Sequence, residues 1–257
     1  NRDGYDDLIV GAPRSQGGAS SKGRSEGGRV FVYAGGPSFS VRPTLILSGE
    51  SSRNENLGAS MASVGDVNGD GYPDVAIGAP GGGEKRRGRV LFLLGGRPVA
   101  NRTFEIAGPD GGSHFGSSVA AAGDIDRDGW RDVLVGACDP SERGRVQVIR
   151  GGAPPELSAA FWAGGPHFGA HLAGLDFNGD GFSDVVVGAS DREPTRVYFG
   201  GSSLVSTPDM VLPQGKGFVG SLGDVSGDGL EDLVLAAVSV QLGNKVGDNL
   251  PDVVWKS

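Results

Sequence analysis

One segment that occurs four times constrains this chain more than any other feature. VGDVNGDGYPDVAIGAP (64–80) recurs as AGDIDRDGWRDVLVGAC (122–138), GLDFNGDGFSDVVVGAS (174–190) and LGDVSGDGLEDLVLAAV (222–238), and the chain opens inside a further copy, NRDGYDDLIVGAP (1–13). The leading aspartates stand at 66, 124, 176 and 224, so successive copies begin 58, 52 and 48 residues apart. A self-similar unit of about that length suits a four-stranded propeller blade, since kelch and WD40 units run to roughly 40–50 residues. The period predicts an all-β fold, a β-propeller of four-stranded antiparallel blades. About five units are recognisable, at 1–56, 57–113, 114–166, 167–214 and 215–257, in a single domain of 257 residues.

Each unit offers the same strands in the same order. The first is rich in small residues (GASMASVGD, GSSVAAAGD, GAHLAGLD), which suits a crowded edge where several sheets converge. The second is a continuous apolar run (DLIVG, DVAIG, DVLVG, DVVVG, DLVLA), as expected of a strand buried on both faces. The third opens with Arg-Val and closes with Gly-Gly, as in RVFVYAGG and RVLFLLGG. The fourth is shorter and variable, TLILSG (44–49) and TFEIAG (103–108), which fits an outer edge with little packing to satisfy. No segment carries a sustained 3.6-residue apolar period, so almost no helix is expected. A β-sandwich would use similar strands but gives no reason for a whole unit to repeat.

The 48 glycines lack the every-third period of collagen and instead mark tight turns between short strands. The formal charge of −8 argues against nucleic acid as a partner. No apolar run reaches the ~18 residues of a membrane span, so no membrane insertion is expected. The lone Cys138 excludes an intrachain disulfide.

Much of the acidity is concentrated in the loops between first and second strands, D-x-[DNS]-x-D-G-x-x-D. They comprise Asp66, Asn68, Asp70, Tyr72 and Asp74; Asp124, Asp126, Asp128, Trp130 and Asp132; Asp176, Asn178, Asp180, Phe182 and Asp184; and Asp224, Ser226, Asp228, Leu230 and Asp232. A fifth loop lacks its first position and keeps Asn1, Asp3, Tyr5 and Asp7. Calcium takes six to eight oxygens at about 2.3–2.6 Å, and alternating oxygens at positions 1, 3 and 5 of a tight loop can supply them. Glycine at position 6 permits the turn, position 7 offers its backbone carbonyl, and the aspartate at position 9 closes the cage. The next position that would matter in an EF-hand, 12, is apolar, and a strand follows instead of a helix. The expected cofactor is therefore Ca2+ in four complete β-hairpin loops and one truncated loop. Asp124, Asp126, Asp128 and Asp132 supply the most charge, so this loop should bind tightest if charge count dominates. Four doubly charged ions would cancel the formal charge of −8.

Phe115-Gly116 and Phe168-Gly169, with Gly11-Ala12-Pro13 and Gly78-Ala79-Pro80, resemble the FG-GAP signature of integrin α-subunit propellers and their bacterial relatives. The order of Phe-Gly, acidic loop, Gly-Ala-Pro and Gly-Arg-Val is shared along most of the chain. The resemblance implies seven blades, an extracellular, cell-surface or periplasmic location, structural calcium on one face and ligand contacts mostly on the other. The departures are Leu57-Gly58 in place of Phe-Gly, and Gly136-Ala137-Cys138, Gly188-Ala189-Ser190 and Ala236-Ala237-Val238 in place of Gly-Ala-Pro. LGNKVGDNLPDVVW (242–255) aligns on 64–77 with Asn244, Asp248 and Asp252 of ligand type and Val246 unable to coordinate. Asp252 follows Asp232 too soon for two intervening strands, so either the last blade is degenerate, or the chain is a fragment or has residues missing near 238–244.

Antiparallel hairpins send successive turns to opposite ends of a sheet. Turns 14–28, 81–88, 138–144 and 190–195 therefore lie opposite the acidic loops, and they vary in length and charge, with Lys85, Arg86 and Arg87 in one of them. Variable loops on a rigid scaffold are where recognition concentrates. The expected partner is a protein or glycan ligand on that face. Catalysis is not expected: His167 and His171, read as sharing one strand face, have no zinc partners, and His114 and His167 both precede the Phe-Gly step. Only a convergence of free acids such as Glu50 and Glu105 would reopen a glycosidase reading. Three functions fit the residues: a calcium-stabilised adhesion or protein-interaction propeller, a lectin-like propeller, and the accessory domain of a secreted hydrolase or lyase.

Overall fold

A computed structural model describes residues 1–15, 27–38, 40–50, 54–98, 102–110, 113–138, 143–189, 193–212, 217–235 and 239–241. The stretch with Asn244, Asp248 and Asp252, the 238–244 junction apart from 239–241, Ala236-Ala237-Val238 and most of turn 14–28 lie outside these residues. The chain divides into two compact units, 1–119 and 120–257.

The described strands form five antiparallel sheets, each a meander of consecutive strands. The first contains β1 (Leu8–Ala12), β2 (Arg29–Tyr33) and β3 (Leu45–Ser48). The second contains β4 (Ser60–Gly65), β5 (Asp74–Ala79), β6 (Arg89–Leu93) and β7 (Thr103–Ala107). The third contains β8 (Phe115–Gly123), β9 (Asp132–Ala137), β10 (Arg145–Arg150) and β11 (Glu156–Ala163). The fourth contains β12 (His171–Leu175), β13 (Asp184–Gly188), β14 (Thr195–Tyr198) and β15 (Met210–Leu212). The fifth contains β16 (Val219–Gly223), β17 (Asp232–Leu235) and β18 (Ser239–Gln241). A two-sheet sandwich is thereby excluded, and four-stranded antiparallel meanders are the form of propeller blades. The only helical element among the described residues is a 3-10 turn at Glu84–Arg86.

Burial follows the expected gradient across each sheet. Every residue of β9 and β13 is buried, so the continuous apolar runs do mark strands covered on both faces. In contrast β7 alternates between exposed and half-buried, as an outer edge should. Within the first unit, Val30, Val32 and Leu47 of one sheet pack with Ile77, Ala79 and Leu93 of the next. Within the second, Val146, Val148 and Trp162 pack with Val185, Val187 and Tyr198, and the other side of the fourth sheet packs Val186 and Val197 on Val219 and Leu233.

The Phe-Gly and Gly-Ala-Pro motifs are the two halves of one junction between neighbouring sheets. Leu57 and Phe115 form isolated parallel bridges to Gly28 and Gly88 of the preceding unit. Their N–H groups donate to the carbonyls of Gly27 (3.0 Å) and Arg87 (3.2 Å). Leu57, Phe115 and Phe168 are all fully buried, which removes about 1.5–3 kcal/mol of apolar exposure each and shows why leucine replaces phenylalanine without consequence for the junction. Gly116 has φ of 87°, and its carbonyl sits so close to Gly78 that a Cβ there would overlap it. Gly11 meets Gly58, and Gly188 meets Gly217, in the same way. The residue before the motif is left-handed each time, with φ of 56° at Asn56, 54° at His114 and 64° at His167. His167 therefore lies in a turn, while His171 opens β12, so the two do not share a strand face as the sequence reading held.

This junction predicts that Gly78→Ala costs about 1–3 kcal/mol, because backbone on both sides must move. Gly201→Ala, where a Cβ meets nothing within 4 Å, should be neutral or slightly stabilising. Urea unfolding of both variants checks this, and equal effects would contradict the junction.

Candidate metal centres

The four complete acidic loops join the first strand of a unit to the second, the truncated one leads into β1, and each is shaped by its own side chains. In the loop 124–132, Asp124 accepts the N–H groups of Asp128 (3.1 Å) and Gly129 (3.0 Å) on its two oxygens. Asp126 accepts the Asp128 N–H (3.3 Å), and Asp128 accepts that of Trp130 (2.9 Å). The loop 66–74 repeats this pattern: Asp66 accepts from Asp70 (3.1 Å) and Gly71 (2.8 Å), Asn68 from Asp70 (3.0 Å), and Asp70 from Tyr72 (3.0 Å). In 176–184, Asp176 accepts from Gly179 (2.8 Å) and Gly181 (2.9 Å), Asn178 from Asp180 (2.9 Å) and Asp180 from Phe182 (2.9 Å). In 224–232, Asp224 accepts from Asp228 (3.1 Å) and Gly229 (2.9 Å), and Asp228 from Leu230 (2.9 Å). Ser226 Oγ donates to Asp224 at 3.4 Å. The truncated loop keeps what it can: Asn1 accepts the Asp3 N–H (2.9 Å) and Asp3 that of Tyr5 (3.0 Å).

These bonds turn the side chains at positions 1, 3 and 5 toward a common centre. Carboxylate oxygens of Asp124, Asp126 and Asp128 lie within 4.8 Å of one another. In two other loops the third-position amide reaches the fifth-position carboxylate, Asn68 Nδ2 to Asp70 at 3.3 Å and Asn178 Nδ2 to Asp180 at 3.0 Å. Like charges held this close repel, and a cation among them reverses the sign of that interaction. The donor set consists of oxygen alone, which suits a hard divalent ion and no soft one.

Position 9 has a second role that the sequence reading missed. Asp74, Asp132, Asp184 and Asp232 are buried, while the other carboxylates of their loops are half-buried or exposed. One oxygen of each accepts the N–H of the loop's second residue: Val67 (3.1 Å), Ile125 (3.0 Å), Phe177 (3.0 Å) and Val225 (2.8 Å). In three of them the other oxygen accepts the first N–H of the Gly-Gly pair that ends the third strand: Gly95 (2.8 Å), Gly151 (3.0 Å) and Gly200 (2.9 Å). Asp7 reaches Gly35 in the same way at 2.8 Å. These glycines press on the carbonyl of position 8 so tightly that a Cβ would overlap it, which explains the Gly-Gly signature. The recurrence of Gly-Gly at the end of the third strand was the available signal, although its distance from position 9 varies from 28 to 21, 19 and 16 residues.

Burial pushes the Asp132 carboxyl up to about 6 and Asp184 up to about 7, against the lowering effect of their backbone donors. Asp74 is raised for the same reason, with Asp70 and Asp66 adding a smaller repulsion. Exposed Asp224 is lowered by the donor N–H groups, that of Gly229 first.

Arginines add charge that a count of carboxylates does not see. Arg150 pairs with Asp126 at 2.6 Å and Arg102 with Asp70 at 3.1 Å, so the loops 124–132 and 66–74 each have part of their negative charge offset. Of the acids considered for hydrolysis, Glu105 is paired with an arginine. Arg89 pairs with both the buried Glu55 and Glu105, and Glu55 also accepts the Glu50 N–H.

At the opposite end of the same strands, Ala79 pairs with Arg89 while Gly65 pairs with Asp74 at the loop end. The turn 80–88 thus lies opposite the acidic loops, with exposed Lys85 and Arg86, each at φ of 54°. Much of turns 138–144 and 190–195 lies outside the described residues.

The profile described as FG-GAP repeat matches residues 1–33, 58–93, 115–149 and 168–204. The loop 224–232, beyond the last match, keeps the bonds to Asp224 from Asp228 and Gly229 and to Asp228 from Leu230. Integrin alpha-5 of Xenopus laevis is 40% identical over 144 residues, 53% of this chain and 14% of that protein. Human integrin alpha-IIb is 38% identical over 166 residues, 62% of this chain and 15% of that protein. Integrin alpha-4 of Xenopus laevis is 32% identical over 202 residues, 72% and 18% respectively. The chain therefore spans less than a fifth of the length of these relatives.

Two outcomes are expected of the metal-free protein. A folded-state pKa above the unfolded 3.8 means the native state binds the proton more tightly, so that stabilisation is present below about pH 4 and lost as pH rises through 6 to 7. In chelator, thermal unfolding should then occur at a lower temperature at pH 7.5 than at pH 5. Separately, Asp132→Ala should destabilise metal-free protein by about 2 kcal/mol or more, because two N–H groups lose their acceptor, whereas Asp128→Ala should cost much less. Denaturant melts in chelator check the contrast.

Proposed function

This chain belongs to the FG-GAP repeat family, and from that premise we propose that it is a calcium-stabilised β-propeller acting outside the cytoplasm as an adhesion or protein-interaction module. It is a binding scaffold and not an enzyme. Residues 1–257 make up one propeller domain in this reading, with blades at the sequence units given above, and it operates at a cell surface, in the extracellular space or in the periplasm. The similarity to integrin alpha chains supports the adhesive role.

Four complete loops hold Ca2+, and the observation that carries this is the clustered oxygens of Asp124, Asp126 and Asp128 in a loop whose bonds from position 6 to position 1 and from position 7 to position 5 recur in the other three. Side-chain oxygens at positions 1, 3 and 5, the carbonyls of Tyr72, Trp130, Phe182 and Leu230, and the aspartates at position 9 are the ligands. Asn1, Asp3, Tyr5 and Asp7 form an incomplete set. The ion supplies positive charge where burial disfavours carboxylates, and so stabilises the ionised loops and the strand pairs that they join. With its ligands on protein atoms, the ion is structural. The partner is a protein that docks on the face opposite the loops, where turn 80–88 presents its basic residues.

Calcium in excess over chelator should raise the unfolding temperature markedly, since a ligand present at a thousand times its Kd adds about 4 kcal/mol per site. Asp128→Asn should reduce that gain. Equal melting temperatures with calcium and with chelator would remove the metal. Binding to immobilised extracellular proteins, compared with a glycan array, tests the partner class, and a response on glycans alone would replace the protein reading.

A further inference from the structure

The fourth position of the acidic loops alternates between arginine and glycine. Gly69, Gly179 and Gly227 hold it in three loops with φ of 70°, 71° and 78°. Arg2 and Arg127 hold it in the other two and are left-handed nonetheless, at 54° and 57°. A side chain strains the backbone there, and glycine would not. Something must therefore favour arginine at these two sites.

The side chains show what it is. Arg127 leaves its own loop and reaches the next one, where its Nε donates to the Gly181 carbonyl at 2.8 Å. Its guanidinium lies over the Phe182 ring, 4.7 Å from the centroid. The same guanidinium fills the space where a Cβ of residue 181 would stand. Arg2 makes the corresponding approach to the next loop in its unit, with a terminal nitrogen 3.9 Å from the Cβ position of Gly71. Gly71 and Gly181 both occupy position 6. At the position-6 glycines of the remaining complete loops, Gly129 and Gly229, nothing lies within 4 Å of that point.

We infer that Arg127 is a positioning residue for calcium in the loop 176–184, acting across from the neighbouring loop. The inference rests on the calcium reading above. By holding the Gly181 carbonyl and the Phe182 ring, Arg127 fixes the two peptide planes that lead to the Phe182 carbonyl, one of the proposed ligands. A flexible loop must order those planes when the ion arrives, and a loop already held does not. The occupancy of one loop thus depends on the fold of its neighbour.

Charge and position predict opposite signs. If the guanidinium acted only as a nearby positive charge, removing it would strengthen calcium binding in 176–184. If it positions the loop, removal weakens binding there, while glycine relieves backbone strain in 124–132.

The test is a calcium titration of protein labelled with 15N-glycine, following the amides of Gly71, Gly129, Gly181 and Gly229. Each donates to the first aspartate of its own loop and so reports on that loop alone. In Arg127→Gly the half-saturation of Gly181 should rise about three- to tenfold, the scale of one lost hydrogen bond with its stacking, with Gly129 no weaker. Arg127→Lys keeps the charge but neither the planar donor nor the stack, and should behave like glycine. An unchanged or tighter Gly181 response, or an equal shift at all four glycines, would overturn the inference and leave the calcium reading standing. No calcium response at any of the four in the unaltered protein would overturn both.

Discussion

The buried aspartate at position 9 is the interaction on which the repeating unit depends. It joins three pieces of chain that are distant in the unit: the start of the acidic loop, the start of the second strand and the end of the third. A carboxylate can do this because it has two oxygens and accepts from both sides at once, which a hydroxyl or an amide cannot do with the same symmetry. The arrangement fixes the register of two strand pairs. It also places a charge in a buried position at a desolvation cost, visible in the raised carboxyls of Asp132 and Asp184. A cation in the same loop is the economical remedy, since it lies close to the cost and serves the exposed carboxylates as well. The proposed calcium is thus coupled to strand register and not merely attached to a surface loop.

A second constraint works between units. The Phe-Gly step of one unit and the Gly-Ala-Pro step of its predecessor meet backbone to backbone, with the apolar residue plugging the seam. Each motif looks like a property of its own repeat, yet its purpose lies in the neighbour. This accounts for the pattern of departures. Leu57 serves because the seam requires a buried apolar group and not an aromatic ring, and the third letter of Gly-Ala-Pro can drift to Cys138 because the close approach involves the glycine.

The periodic elements were therefore legible from residues alone. Apolar runs such as DVLVG announced a doubly covered strand, and the oxygen spacing of Asp124, Asp126 and Asp128 announced a converging loop, because both are local patterns with one dominant physical cause. What was not legible involves partners far apart in sequence. Nothing near Asp132 shows that it also accepts from Gly151, and nothing near Asp126 shows that Arg150 stands against it. The histidines failed for a different reason. His167 and His171 have the even spacing of a strand face, but a left-handed turn at 167 interrupts the strand before that spacing can apply. Period-two reasoning presumes an unbroken strand.

The two ends of each sheet are under different demands, and this separation gives the proposed module its freedom. At one end the hydrogen bonds of the loop are interlocked with the third strand, so almost any change at positions 1, 6 or 9 disturbs register. At the other, turn 80–88 brings β5 back as β6 through one 3-10 turn with two left-handed basic residues at its tip, and its ends are held by the neighbouring junction, Gly81 at Glu55 and Arg87 and Gly88 at Phe115. Lys85 and Arg86 are exposed at that tip, so a change of side chain there leaves the acidic end untouched. A recognition surface can then be rewritten in charge and length while the acidic end keeps the strands in place, which is the physical reason for expecting the ligand and the proposed ion on opposite faces.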